Sequence, residues 1–114
     1  MRIKAGIWVG AYVRRLNAMA VPALVARRGD ADAGAIYIKI NTLDGLAFLL
    51  RPAMAGKEGS EDERFWSPAF AAPREEQEVD RYLARQREFD ADLWIVEVED
   101  KAGRTFIEDY IVKD

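Results

Sequence analysis

The sequence contains no cysteine and no histidine. The first absence excludes disulfides, thiolate metal sites and cysteine nucleophiles. The second removes the commonest general base and the commonest metal ligand. An enzyme built on this chain would have to work with Asp, Glu, Lys, Tyr, Ser or Thr. No apolar run approaches the length of a transmembrane helix, so no membrane partner is expected. Ala5 to Val13 is apolar but short, and Arg14 and Arg15 follow it where a signal peptide needs small residues. It reads as mature structure, with the cytoplasm as the expected location. An excess of positive charge is also missing. The net charge of −3 argues against attraction of the whole protein to nucleic acid.

The chain has 114 residues, half of them apolar. That length fits one domain over residues 1–114, able to bury about two thirds of its unfolded surface without staples. No internal repeat is present.

The best-specified stretch is Arg74 to Asp100, a charged amphipathic helix, a break at Asp90-Ala91-Asp92, and an apolar strand opening Leu93-Trp94-Ile95-Val96. Its helix has Val79, Tyr82, Leu83, Gln86 and Phe89 on the inward stripe, and Pro73 suits its first turn. Residues 4–19 form a first helix, with Ala5, Trp8, Val9, Tyr12, Val13, Leu16 and Met19 on one broad face. Pro22 stops it. Strands follow at 23–28, 35–41 and 46–51, joined by turns at Gly29–Gly34 and Thr42–Gly45. Ile36, Ile38 and Ile40 point one way; Tyr37, Lys39 and Asn41 point the other. Three strands with short turns predict an antiparallel meander. Residues 53–63 read as a flexible loop, 64–70 as an edge strand with Pro68, and 105–112 as a closing strand. The predicted order is αββββαββ. The predicted class is α+β, a two-layer sandwich with a mostly antiparallel sheet of five or six strands and two helices on one face.

Several polar groups are candidates for chemistry, each beside a plainer reading. Glu97, Glu99 and Asp100 are the densest acids and could hold a hard cation; a solvated strand face is the plainer account. Arg27, Arg28, Asp30 and Asp32 surround a glycine turn whose backbone N–H groups could bind an anion; a turn with local ion pairs is the alternative. Gln86 lies in an apolar stripe, where a buried amide needs partners. Tyr37 and Lys39 lie on the sheet face opposite the isoleucines. If both helices cover the isoleucines, that face is open, and it could form a homodimer interface or stack single-stranded nucleic acid.

Certain stretches carry a resemblance: Ile7-Trp8-Val9 with Arg14, Arg15 and Asn17; Arg27 through Gly34; Asp44-Gly45; Glu78-Val79-Asp80 with Tyr82 through Gln86; Phe89-Asp90 with Asp92-Leu93-Trp94; and Glu97, Glu99, Asp100, Gly103 and Arg104. In these the sequence resembles the domain of unknown function 1491 family of small, mainly alphaproteobacterial proteins. The resemblance covers nearly the whole chain, apart from residues 53–63. It implies kinship without an activity and supplies no catalytic or binding residues.

The expectation is a non-catalytic binding or assembly module without a cofactor. Its expected partners are a second copy, through the open sheet face, and a small ligand. Alternatives are a carboxylate-based, metal-dependent enzyme acting on phosphate esters, and a single-stranded nucleic-acid binder.

Overall fold

A strand that carries bulky apolar side chains on both sides needs cover on both faces, and this places it inside a sheet. Leu93 to Val96 is such a run. A computed structural model describes residues 2–113. Its elements are α1 (Ala5–Ala18), β1 (Ala23–Arg27), β2 (Ile36–Asn41), β3 (Leu46–Pro52), β4 (Trp66–Pro68), β5 (Arg74–Glu75), α2 (Glu76–Phe89), β6 (Trp94–Glu99) and a short 3-10 turn, Glu108–Tyr110. The sheet is six-stranded in the order β1-β6-β2-β3-β4, with β5 paired to β3. It is mostly antiparallel, and the α+β class holds. Among the described residues, only β2 and β6 run parallel as neighbouring strands, with Ile36 opposite Trp94 and Ile40 opposite Val98.

Three expectations are corrected. The meander does not form, because β6 lies between β1 and β2 and pairs with both. The turn after β1 therefore spans a strand's width instead of closing a hairpin. The closing strand at 105–112 is also absent. Both edges of β6 are already occupied, so a returning strand has nowhere to pair. The chain instead makes the 3-10 turn, and Ile111 bridges Trp66 while the Val112 N–H donates to the Trp66 carbonyl. The order αββββαββ is replaced accordingly, and β5 is a short addition before α2.

The third correction concerns the layers. The helices lie on opposite faces of the sheet, not on one. Ala5, Val9, Tyr12 and Leu16 of α1 pack with Ile36, Ile38, Ile40, Val96 and Val98. Val79 and Leu83 of α2 pack with Ala47, Leu49, Leu93 and Ile95. The second set needs burial as much as the first, and one helix cannot serve both. Tyr37, Lys39 and Asn41 thus lie beneath α2, and the open face proposed for a homodimer is covered.

The α1 core is closed by aromatics. Trp8 stacks on Tyr12 at 4.9 Å between ring centroids and meets Trp66 at 4.7 Å. Trp66 is buried, and its indole N–H donates to the Ile36 carbonyl at 2.9 Å. The outer edge of β1 is blunted by α1 itself. The Asn17 side chain accepts from the Ala23 N–H at 2.9 Å and donates to the Ala23 carbonyl at 3.0 Å, standing in for a neighbouring strand.

α1 ends in a Schellman arrangement. The Val21 N–H bonds the Leu16 carbonyl and the Ala20 N–H bonds that of Asn17. The left-handed position is filled by Ala20, at φ 62°, where glycine is the usual residue. Ala20→Gly is expected to stabilise the fold by about 0.5–1 kcal/mol. The gain falls below the left-handed cost of about 1–2 kcal/mol because glycine also enlarges the unfolded ensemble. Urea unfolding should show a higher midpoint at unchanged slope; a lower midpoint would contradict the strain assigned to Ala20.

Candidate functional site

The turn from Arg27 to Gly34 works as a structural hub. The Arg27 guanidinium donates to the carbonyls of Leu93 at 2.6 Å, Ala91 at 2.8 Å and Arg28 at 3.3 Å. It fixes the connection between α2 and β6. Arg28 lies over the Trp94 ring, 5.5 Å from its centroid. The Asp30 carboxylate accepts from the N–H groups of Asp32 and Ala33, and the Asp30 carbonyl accepts from the Trp94 indole at 2.7 Å. The carbonyls of Asp32 and Ala31 accept from the N–H groups of Ala5 and Gly6, which caps α1 in the absence of a side-chain cap. Four of the turn's N–H groups considered for an anion, those of Asp30, Asp32, Ala33 and Gly34, are thus engaged within the chain.

On the other face, Lys39 is 3 % exposed. Its ammonium lies 2.8 Å from Glu76, 2.9 Å from Asp80 and 3.5 Å from Glu97, and Asn41 donates to the same Glu76 oxygen at 3.1 Å. Burial opposes the charge, but the hydrogen bonds from Asp80 and Glu76 and the charge of Glu97 outweigh it, so the Lys39 pKa is raised. Glu76 and Asp80 are four apart on α2 and straddle the lysine. The cluster pins α2 to the sheet. Tyr37 is half-buried in the same layer, its pKa raised by burial and by Tyr82 and Asp90. Gln86 is half-buried on α2. Phe89, at the last position of that helix, is 86 % exposed.

The three acids proposed for a metal do not converge. Glu97 faces Lys39, whereas Asp100 is buried and held by the Arg104 guanidinium at 2.7 and 3.1 Å. Arg104 also holds the Asp100 carboxyl below the usual carboxylate range. Glu99 is half-buried on the strand between them. Among the described residues, no group of three acids is arranged to hold a metal ion.

A different site emerges where segments distant in sequence meet. A half-open cleft of about 630 Å³ lies between residues 52–66 and the start of β2. Pro52, Met54, Phe65 and Trp66 supply apolar wall; Arg2 and Arg64 supply charge. Residues 53–63 are held by backbone bonds, including the Ala53 N–H to the Phe65 carbonyl at 2.9 Å. Gly56 packs so closely that a Cβ there would lie 2.3 Å from the Phe65 ring. Lys57 donates to the Asp109 carbonyl at 2.8 Å and sits over the same ring. Sequence reasoning passed over this cleft because 53–63 shows no periodicity. The only signal was Gly56 ahead of the aromatic pair Phe65-Trp66.

Among the described residues, no helix is long and apolar enough to cross a membrane. No curated protein matches the chain. Solved structures do. The crystal structure of a DUF1491 family protein from Caulobacter crescentus is similar with a TM-score of 0.80 and 35% identity, covering 99% of this chain and 100% of that one. An NMR structure of a DUF1491 family protein from the same organism gives 0.79 and 35%, covering 99% of each. The solution structure of an A. tumefaciens protein gives 0.74 and 36%, covering 87% of this chain and 86% of that one. The family model for the proteins of unknown function DUF1491 matches residues 3–108, and with these neighbours it follows that the chain belongs to the DUF1491 family.

Proposed function

We propose that the protein is a non-catalytic binding module whose ligand site is the cleft between residues 52–66 and the start of β2. The observation that carries this reading is the cleft itself. Its volume of about 630 Å³ lies within the size range of small-molecule sites, and its lining joins apolar and aromatic groups to three basic and four acidic side chains. The other polar constellations are engaged in holding the chain together. Lys39 is saturated by carboxylates, Arg27 by carbonyls and Asp100 by Arg104. No observation favours the carboxylate enzyme. The nucleic-acid reading loses its surface, because Lys39 and Tyr37 lie under α2.

The test is an NMR titration of the full chain with a library of small aromatic fragments. Binding fragments should shift amides of residues 33–36 and 52–66 together, and leave those around Lys39 unmoved. Fragments that bind only elsewhere, or none that bind at millimolar concentration, would remove the proposal.

A further inference from the structure

Arg64 leads into β4 and lines the cleft. Its guanidinium is poorly compensated. One terminal nitrogen donates to the Ile3 carbonyl at 2.8 Å, while the Nε is buried with no acceptor. A buried donor without a partner is uncommon and calls for an explanation. Among the described residues no carboxylate forms an ion pair with Arg64, although Glu61 and Glu63 line the same cleft. A second guanidinium, that of Arg2, is close by. Its own partner is a carbonyl, that of Glu63, at 3.4 Å. Burial and the like charge of Arg2 both lower the Arg64 pKa. An arginine stays charged regardless. Among the described residues, the two guanidinium groups therefore have only carbonyl oxygens as hydrogen-bond partners, beside a cleft whose lining is part apolar and part charged. Lys57, the third cation of the lining, also donates to a carbonyl, that of Asp109, and lies over the Phe65 ring; it differs from Arg64 in leaving no buried donor without an acceptor.

We infer that the cleft takes an oxyanion carried on an apolar body, a carboxylate or a phosphate monoester, with Arg64 and Arg2 as its counter-charges. This inference rests on the cleft being the ligand site. The guanidinium fork matches either oxyanion in bidentate geometry. Pro52, Met54 and the edge of Phe65 would take the apolar part. Glu58, Glu61, Glu63 and Asp90 also border the cleft. These four acids outnumber the three cations of the lining, so the anion is favoured only in direct contact with Arg64 and Arg2, and the rest of the ligand carries no negative charge.

The experiment uses three probes that share a ring: benzoate, phenyl phosphate and the neutral benzamide. Each is titrated into the full chain at neutral pH, with the cleft amides and the arginine Nε–H resonances observed. One or both anions should bind about tenfold tighter than benzamide, as a charge-assisted pair requires. The Arg64 Nε–H resonance should move with them, and the ratio of the two anions assigns the oxyanion. Arg64→Gln should bring the preferred anion down to the level of benzamide. Arg2→Gln alters an exposed residue and should reduce the preference severalfold even if the Arg64 variant fails to fold. Benzamide binding in the cleft as tightly as both anions would keep the binding module and overturn the anion. An anion preference left intact by Arg2→Gln would overturn the role of the pair. No shift at the cleft from any probe, together with a silent fragment library, would overturn both readings.

Discussion

Alanine at Gly29 or at Gly34 is expected to destabilise the protein by about 3 kcal/mol or more, at or beyond the upper end of ordinary overpacking. The argument is one of space. A Cβ at Gly29 would lie 2.2 Å from the Asp92 carbonyl oxygen and 2.6 Å from the Leu93 carbonyl carbon. At Gly34 it would lie 2.4 Å from the Asp92 oxygen and 2.8 Å from the Trp94 ring. The obstructing atoms at Gly29 are all backbone, so no side-chain rotation relieves them. Any shift that did would pull on the bond from the Asp30 N–H to the Asp92 carbonyl, and on the Arg27 bonds to Ala91 and Leu93. The carbonyls that cap α1 belong to the same turn. One methyl group therefore loosens three elements. Gly59 supplies the control. It has φ 84° with nothing near its Cβ position, so alanine there should cost only about 1 kcal/mol of backbone strain. Denaturant midpoints would rank the variants, and a Gly29→Ala loss no larger than that of Gly59→Ala would refute the close-packed hub.

This hub also shows what could be read from the sequence and what could not. Its residues, Arg27 to Gly34 and Phe89 to Trp94, carry the family resemblance, and a glycine turn was legible from composition. What the turn holds was not, because its partners lie about 60 residues away and no local period encodes them. The same division runs through the fold. The buried stripe of α1 and the alternation of β2 are local patterns; the alternation is realised, and the stripe is realised through Leu16, with Met19 exposed beyond the helix end. Strand order is not local. The one clue to it was that Leu93 to Val96 is apolar on both sides, which an outer strand rarely needs to be. Phe89 marks the limit of a helical projection. It continues the stripe of Val79 and Leu83 but is 86 % exposed, since α2 reaches its last residue there. The cleft was the least legible feature of all. Arg2, the start of β2 and residues 52–66 meet only in the folded chain.

Lys39→Ala is expected to cost about 3 kcal/mol, near the lower end for removing one partner of a buried ion pair, because its three carboxylates keep partial access to water. Glu76→Gln and Asp80→Asn should each cost about 1 kcal/mol or less, since the exposed partners are easily solvated. Lys39→Met separates packing from charge. It keeps an apolar stem in the layer beneath α2 while leaving the acids unpaired, so its loss should fall below that of Lys39→Ala. The charge has its own signature in pH. The folded pKa of Lys39 is raised, with burial overcome by Asp80, Glu76 and Glu97. Folding is therefore favoured by the proton. That contribution is fully present below the unfolded lysine pKa of about 10.4 and is lost as pH rises through the higher folded value. The stability difference between the wild-type chain and Lys39→Met should be constant around neutrality and shrink above about pH 10.4. Tyr12 and Tyr37, both raised by burial, titrate in both proteins and largely drop out of that difference. A difference that grew with alkalinity would mean that the amine is neutral in the folded state, and that α2 is held to the sheet by its apolar stripe alone.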